Sequence, residues 1–91
     1  MKNPRKSEAP TTADHFLDIT GEVCPLTFVR TKLLIERMAS GETAEVRLQG
    51  EEPLSNVPRS VKEQGDHVVS LSPERPGGPE LGIHRLIIRK R

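Results

Sequence analysis

The sequence contains few of the residues on which several classes of protein depend. It has one cysteine in 91 residues, no Trp, no Tyr and two Phe, and no apolar run approaches the ~20 residues that a membrane helix needs. One thiol excludes an internal disulfide framework and a zinc site built on several thiolates. Two aromatic side chains are too few for a base-stacking platform. These absences favour a small cytoplasmic domain with a single thiol.

Charge is nearly balanced but unevenly placed. The chain has 14 Lys and Arg against 13 Asp and Glu, a net charge of +1, which excludes a polycation that grips nucleic acid by bulk electrostatics. Residues 1–13 and 85–91 are basic, and the stretch between them is acidic. No apolar stretch follows the basic N-terminal residues, so we expect no secretory signal. Direct nucleic-acid binding and membrane attachment are not expected; weak RNA contact through the basic ends is the minor alternative.

Periodicity predicts one domain over residues 14–91, after a polar tail over 1–13 that we expect to be disordered. Alternation of apolar and polar residues predicts strands, and spacings of three and four predict helices. The strands are expected at 15–20, 43–48, 67–71 and 83–89, the helices at 26–39 and from Leu54 to near Gly65, and a Pro/Gly-rich loop at 72–82. The order β-α-β-α-β-β predicts an α+β fold, a two-layer sandwich with two helices on one face of a four-stranded mixed sheet. The other face is expected to expose Glu45, Arg47, Arg85 and Arg89.

Local signals refine both helices. In the first helix one arc is expected to face the sheet, and it holds Phe28, Leu34, Ile35, Met38 and Ala39, with Thr27 and Thr31 between them. Pro25 suits the first helical position, and Gly41 suits a left-handed cap after the helix. Pro58 would cost about 3 kcal/mol in a helix interior, so the residues alone place it in the first turn of the second helix.

Cys24 is the candidate reactive residue. It directly precedes Pro25 and the first helix, where unpaired N–H groups and the helix dipole favour the thiolate, which is the nucleophilic form. The other interpretation is a small buried apolar residue. His15, His67 and His84 all lie in strand segments, and none is spaced with Cys24 as a general base or metal partner. A thiol that works largely alone suits sulfur transfer or a mixed-disulfide relay better than hydrolysis, and no metal site is expected.

The segments LDITGEVCPLTFVRTKLLIERMASGE and VRLQGEEPLSNVPRSVKEQGDHVV resemble the TusA/SirA-like sulfurtransferases over about residues 15 to 90. Members of that family have a strand with a Leu-Asp and Gly signature, a Cys-Pro at the start of the first helix, and a second helix with an internal Ile/Val-Pro step that ends in Gly. The matching residues here are Leu17-Asp18, Gly21, Cys24-Pro25, Gly41-Glu42, Val57-Pro58 and Gly65.

The resemblance implies a carrier that holds a sulfane sulfur on Cys24 as a persulfide and needs no cofactor. It implies a sulfur-donor protein, a cysteine desulfurase or a rhodanese-like transferase, and an acceptor protein in tRNA thiolation, cofactor assembly or sulfur oxidation. Gly21, Pro25 and Thr27 would support the motif. Thr27 departs from it, because the family's usual Cys-Pro-x-Pro has proline there, and this leaves the pathway open. A non-catalytic regulatory or protein-binding module on the same fold is the alternative function.

The first helix also carries a second set of apolar residues, Leu26, Val29 and Leu33, away from its main arc. One interpretation is contact with the second helix. The other is a docking patch beside Cys24, in which Leu26 and Leu33 contact a partner protein and Arg30 and Lys32 attract acidic groups.

Overall fold

A computed structural model describes residues 13–23 and 25–91, so residues 1–12 of the expected tail lie outside the described residues. Strands and helices follow the predicted order. They are β1 (His15–Asp18), α1 (Leu26–Arg37), β2 (Thr43–Leu48), α2 (Glu51–Glu63), β3 (His67–Pro73) and β4 (His84–Arg89). In the part of the chain that the structure covers, no helix is long and apolar enough to cross a membrane.

The strands form one mixed sheet in the order β1-β2-β4-β3. β1 runs parallel to β2, with Leu17 opposite Val46, and β4 runs antiparallel to β2, with Leu86 opposite Val46. β3 pairs antiparallel with β4 across an irregularity between Val68 and Ser70. This arrangement confirms the predicted α+β fold with a four-stranded mixed sheet and two helices.

The core lies between the sheet and the two helices. The central strands β2 and β4 contribute side chains with no exposed surface: Ala44, Val46, Leu48, Leu86 and Ile88. Leu34, Ile35 and Met38 pack on them from α1, and Val57 and Val61 from α2. Each fully buried aliphatic side chain of this size contributes about 1.5–3 kcal/mol. Burial on this face therefore holds the layers together.

The buried face of α1 follows the predicted arc except at its ends. Thr27 and Thr31, expected within the arc, are buried, and the Thr31 hydroxyl donates to the Thr27 carbonyl oxygen at 2.8 Å, so its burial leaves no donor unsatisfied. Phe28 is half-buried. Ala39 is exposed, and its expected position on the sheet-facing arc is wrong, because α1 ends at Arg37 and the chain is extended at Met38.

Gly41 is left-handed as expected, at φ 87°, but it does not cap α1. The Glu42 N–H donates to the Ala39 carbonyl oxygen at 3.0 Å and closes a separate turn beyond the helix. In this turn Gly41 occupies the third position, where a type II turn requires a positive φ.

Pro58 lies inside α2, not in its first turn as the residues alone suggested. The error follows from the helix start. Gly50, at φ 98°, caps α2, so Glu51 and Glu52 are helical and Pro53 takes the first-turn place where a missing N–H costs nothing. The family resemblance, with its internal Val-Pro step, gave the correct position. Pro58 is buried beside Val57, on the core side of the helix.

The sheet face opposite the helices is less open than predicted. Arg89 is exposed and Arg47 and Arg85 are half-buried, but Glu45 is only 3% exposed. The expectation that Glu45 is a solvated surface residue is therefore wrong. Its carboxylate lies 3.2 Å from the Arg85 guanidinium, across the β2–β4 pair, which supplies the charge partner that a buried carboxylate requires.

Candidate functional site

The candidate site lies at one end of the sheet. Because β1 and β2 are parallel, the β1–α1 loop (residues 19–25) and the β2–α2 connection leave from the same end. Pro73 and His84 pair there too, so the β3–β4 loop (residues 74–83) joins them. Gly50 N–H donates to the Leu81 carbonyl oxygen at 3.0 Å and links two of these segments. Cys24, in the β1–α1 loop, lies outside the described residues.

The start of α1 is built by the residues on either side of Cys24. Pro25, at φ −91° and ψ 7°, precedes the helix, so Leu26 is its first residue and the expectation that Pro25 opens the helix is wrong by one position. Leu26 N–H donates to Val23 O at 2.8 Å, and Val29 N–H to Pro25 O at 3.0 Å. The first turn of α1, all of it described, contains no acidic residue. The positive end of the helix dipole is therefore not offset there, and it favours an anion.

The β1–α1 loop is held to the sheet through Thr20. Asp18 Oδ1 accepts hydrogen bonds from Thr20 N at 2.9 Å and from Thr20 Oγ1 at 2.7 Å. Gln49 Nε2, from the end of β2, donates to the Thr20 carbonyl oxygen at 3.0 Å. Both polar groups of the Thr20 backbone and its hydroxyl thus have partners, which fixes the first turn of the loop. The Asp18 bonds also explain why β1 ends two residues before its predicted end.

Arg47 connects this turn to a charged network on the sheet face opposite the helices. Its Nη1 lies 2.6 Å from Asp18 Oδ2, and its Nε and Nη2 donate to the two carboxylate oxygens of Glu74 at 2.8 and 3.2 Å. Arg85 also contacts Glu74, at 3.4 Å. Alternating charges along β2 and β4 are visible in the sequence, but only strand register brings Asp18 and Glu74 to one guanidinium.

The network alters the acidity of its members. The hydrogen bonds from Thr20, joined by the Arg47 guanidinium, hold the pKa of Asp18 below its ordinary value. Arg47 does the same to the pKa of Glu74 by its hydrogen bonds, and these carboxylates raise the pKa of Arg47 in return. All three groups are therefore charged at neutral pH.

Four exposed apolar side chains lie on α1 and in the loop before it, and two of them, Leu26 and Leu33, are predicted docking residues. Val23 is 71% exposed, Leu26 48%, Val29 40% and Leu33 55%, and we call these four residues the α1 stripe. The last three keep 40–55% of their surface exposed, which favours the docking patch over burial against α2. The two helices instead meet along a crease lined by Phe28, Thr31, Lys32 and Ile35 of α1 and by Val57, Ser60, Val61 and Gln64 around α2.

Arg30, predicted to attract acidic groups of a partner protein, forms an ion pair within this chain. Its Nη1 lies 2.6 Å from Glu22 Oε2, so it ties the β1–α1 loop to the helix. Gly21, predicted to support the motif, does not have a positive φ, and no described atom lies within 4 Å of the place where a Cβ would stand. Nothing in the described residues explains a glycine at position 21.

Two of the three histidines make structural contacts, and the third is exposed. His15 Nε2 lies 2.8 Å from Glu42 Oε1, at the sheet end opposite the β1–α1 loop. His67 is exposed at the start of β3. His84 Nδ1 donates to the Gly82 carbonyl oxygen at 2.8 Å. Within residues 13–23 and 25–91, no three His, Cys, Asp or Glu side chains are grouped to hold a metal ion.

A parallel β1–β2 pair and two helices on one face of a mixed sheet define a small two-layer α+β domain, and its sequence places a Cys-Pro directly before α1. The chain matches the family described as sulfurtransferase TusA over residues 15–90, and it belongs to that family. It is 46% identical over 71 residues to a putative sulfur carrier protein of Archaeoglobus fulgidus, covering 78% of both chains. It is 35% identical over 68 residues to a putative sulfur carrier protein of Thermotoga maritima, covering 75% of this chain and 84% of that one.

The fold has a solved counterpart. The crystal structure of a SirA-like protein from Desulfitobacterium hafniense superposes with a TM-score of 0.59. The match covers 82% of this chain and 95% of the other, at 18% sequence identity.

Proposed function

We propose that this protein is a sulfur carrier that accepts a sulfane sulfur on Cys24 as a persulfide and passes it to an acceptor protein. The observation that supports the proposal most strongly is the placement of the Cys-Pro motif of a TusA family member directly before α1. The relatives named sulfur carrier proteins support the same role.

The transfer is a thiol exchange in which no external oxidant is needed. The Cys24 thiolate attacks the outer sulfur of a donor persulfide, a new sulfur–sulfur bond forms, and the donor's own sulfur–sulfur bond breaks. The donor leaves as a thiolate, and the outer sulfur moves with its proton. Repeating the exchange with an acceptor thiolate returns Cys24 to its starting state. The unopposed positive end of α1 favours the anionic sulfur in both steps.

The partners of such a relay are proteins, since the sulfur of one must come within bonding distance of the sulfur of the other. The α1 stripe provides apolar surface next to the position of Cys24, and α1 adds the cation Lys32 beside it. We therefore assign docking of a donor, a cysteine desulfurase or a rhodanese-like protein, to the α1 stripe. A reduced, unpaired thiol is maintained in the cytoplasm, where we place the protein.

Persulfide loading tests the proposal directly. Incubation with a cysteine desulfurase and cysteine, and in parallel with a rhodanese and thiosulfate, is followed by intact-mass measurement. We expect the wild-type mass to rise by one sulfur atom and Cys24→Ser to stay unchanged. No added sulfur from either donor, or equal addition to both proteins, would contradict the proposal and leave the non-catalytic binding module as the better description.

Docking is tested separately from chemistry. Leu33→Glu places a charge in the α1 stripe and is expected to slow sulfur loading from the donor protein while leaving alkylation of Cys24 by a small reagent unchanged. Val69→Glu is the matched control, because Val69 is 50% exposed, close to the 55% of Leu33, but lies on β3, the edge strand farthest from β1. Equal loss of loading in both variants would contradict the assignment.

A further inference from the structure

We infer that Arg47 is a positioning residue for the β1–α1 loop, and that through Asp18 and Thr20 it sets the reactivity of Cys24 without contacting a substrate. The inference rests on the proposed role of Cys24.

The contacts form a continuous path from β3 to the loop. Glu74, directly after β3, holds Nε and Nη2 of Arg47 in a two-point fork, which fixes the plane of the guanidinium. The remaining Nη1 donates to Asp18 Oδ2, and this orients the Asp18 carboxylate. Its other oxygen, Oδ1, then accepts both the backbone N–H and the hydroxyl of Thr20.

Two further backbone hydrogen bonds hold the described part of the loop beyond Thr20. Glu22 N–H donates to Ile19 O at 3.1 Å, and Leu26 N–H donates to Val23 O at 2.8 Å. Ile19 is 1% exposed, so the loop is fixed to the core at one end and to α1 at the other. A shift at Thr20 is therefore expected to pass into the few residues before α1. By sequence, Cys24 is one of those residues.

Positioning and plain electrostatics predict different results. Removing the Arg47 charge raises the pKa of a nearby thiol, whereas removing the Asp18 charge lowers it, if each acts only through space. If both act by holding Thr20, losing either one releases the loop. Both losses are then expected to shift the pKa of Cys24 in the same direction, toward the value of about 8.5 of an unperturbed thiol.

The test is the pH profile of Cys24 alkylation by iodoacetamide in the full chain. We expect Arg47→Gln and Asp18→Ala both to shift the midpoint upward and to slow alkylation at pH 7 about threefold or more. Hydrogen exchange in residues 19–23 should become faster in the same two variants. Arg47→Lys keeps the charge but not the fork, and it should restore the profile only in part.

Arg85→Met is the matched control. Arg85 contacts Glu74 in the same network but makes no contact with Asp18, so its loss should leave the alkylation profile unchanged even where it lowers stability. Shifts of opposite sign in Arg47→Gln and Asp18→Ala, no shift in either, or an equal shift in Arg85→Met would overturn the inference. These measurements need only the thiol, so a failure to load persulfide would refute the proposed function and not this positioning role.

Discussion

The buried carboxylate of Glu45 gives the sharpest prediction about stability. Its side chain is 4% exposed and has one described ion partner, Arg85, whose side chain is 34% exposed. Arg85→Met leaves the Glu45 charge buried without that partner. Removing one partner of a fully buried pair costs about 3–5 kcal/mol. Because water reaches Arg85, we expect a smaller loss of unfolding free energy, about 2–3 kcal/mol.

The opposite substitution is expected to cost much less. Glu45→Met removes the buried charge itself, and Arg85 retains Glu74 at 3.4 Å and its exposure to water. We expect a loss below about 1 kcal/mol, and the double variant should be more stable than Arg85→Met alone.

Urea unfolding followed by far-UV circular dichroism measures these differences, since the chain has no Trp or Tyr for fluorescence. A loss of about 2–3 kcal/mol corresponds to a fall in Tm of roughly 10–20 °C for a domain of this size. The reasoning would be refuted if Arg85→Met cost no more than Glu45→Met. It would also be refuted if the two effects were simply additive in the double variant.

Three further predictions concern stability. Leu86→Ala empties a site with no exposed surface and should cost about 2–5 kcal/mol in urea unfolding; a loss under 1 kcal/mol would mean that β4 is not central to the core. Gly41→Ala should lower the free energy of unfolding by about 1–2 kcal/mol, because φ is 87° at this position while no neighbouring atom lies within 4 Å of the added Cβ. Gly41→Asn should cost less, and equal stability of all three proteins would contradict this. The pKa values of Asp18, Glu42 and Glu74 are lowered in the folded state, mainly by hydrogen bonds from Thr20, His15 and Arg47 respectively. Each carboxylate therefore adds to the free energy of unfolding, and this contribution is complete above the ordinary pKa values of 3.8 for Asp and 4.5 for Glu. It should be lost as pH falls through the lower folded values, giving a Tm that drops in acid and drops less in Asp18→Asn; a Tm that rises in acid would contradict the assignment.

Much of the fold follows from local pattern. Alternation over β2 predicted its bounds correctly, and the periodicity after Pro25 predicted α1 with an error of two residues at its end. Pro58 shows the limit of that approach, since an intrinsic cost of about 3 kcal/mol is outweighed when the residue is buried against a core. The start of α2 was predicted too late, because Pro53 suggested that residues 50–53 form a loop. The helix in fact begins directly after Gly50, which has a positive φ.

The residues of the candidate site were likewise predicted only in part from the sequence. Cys24 and Pro25 stand out because a thiol beside a helix start is a local arrangement within a few residues of sequence. Arg47 does not stand out, because its partners Asp18 and Glu74 are 29 and 27 residues away. Their meeting depends on the parallel register of β1 and β2 and on the order in which β4 and β3 follow.

The sequence by itself determined the kind and order of the elements, the single thiol and its place before α1, because backbone periodicity and helix starts are properties of neighbouring residues. The tertiary structure alone decided that Glu45 is buried, that Leu33 stays exposed and that Arg47 holds the loop. Each of these depends on which strands lie side by side and on which helix face meets the sheet. Such contacts arise only when distant segments pack, and no local pattern encodes them.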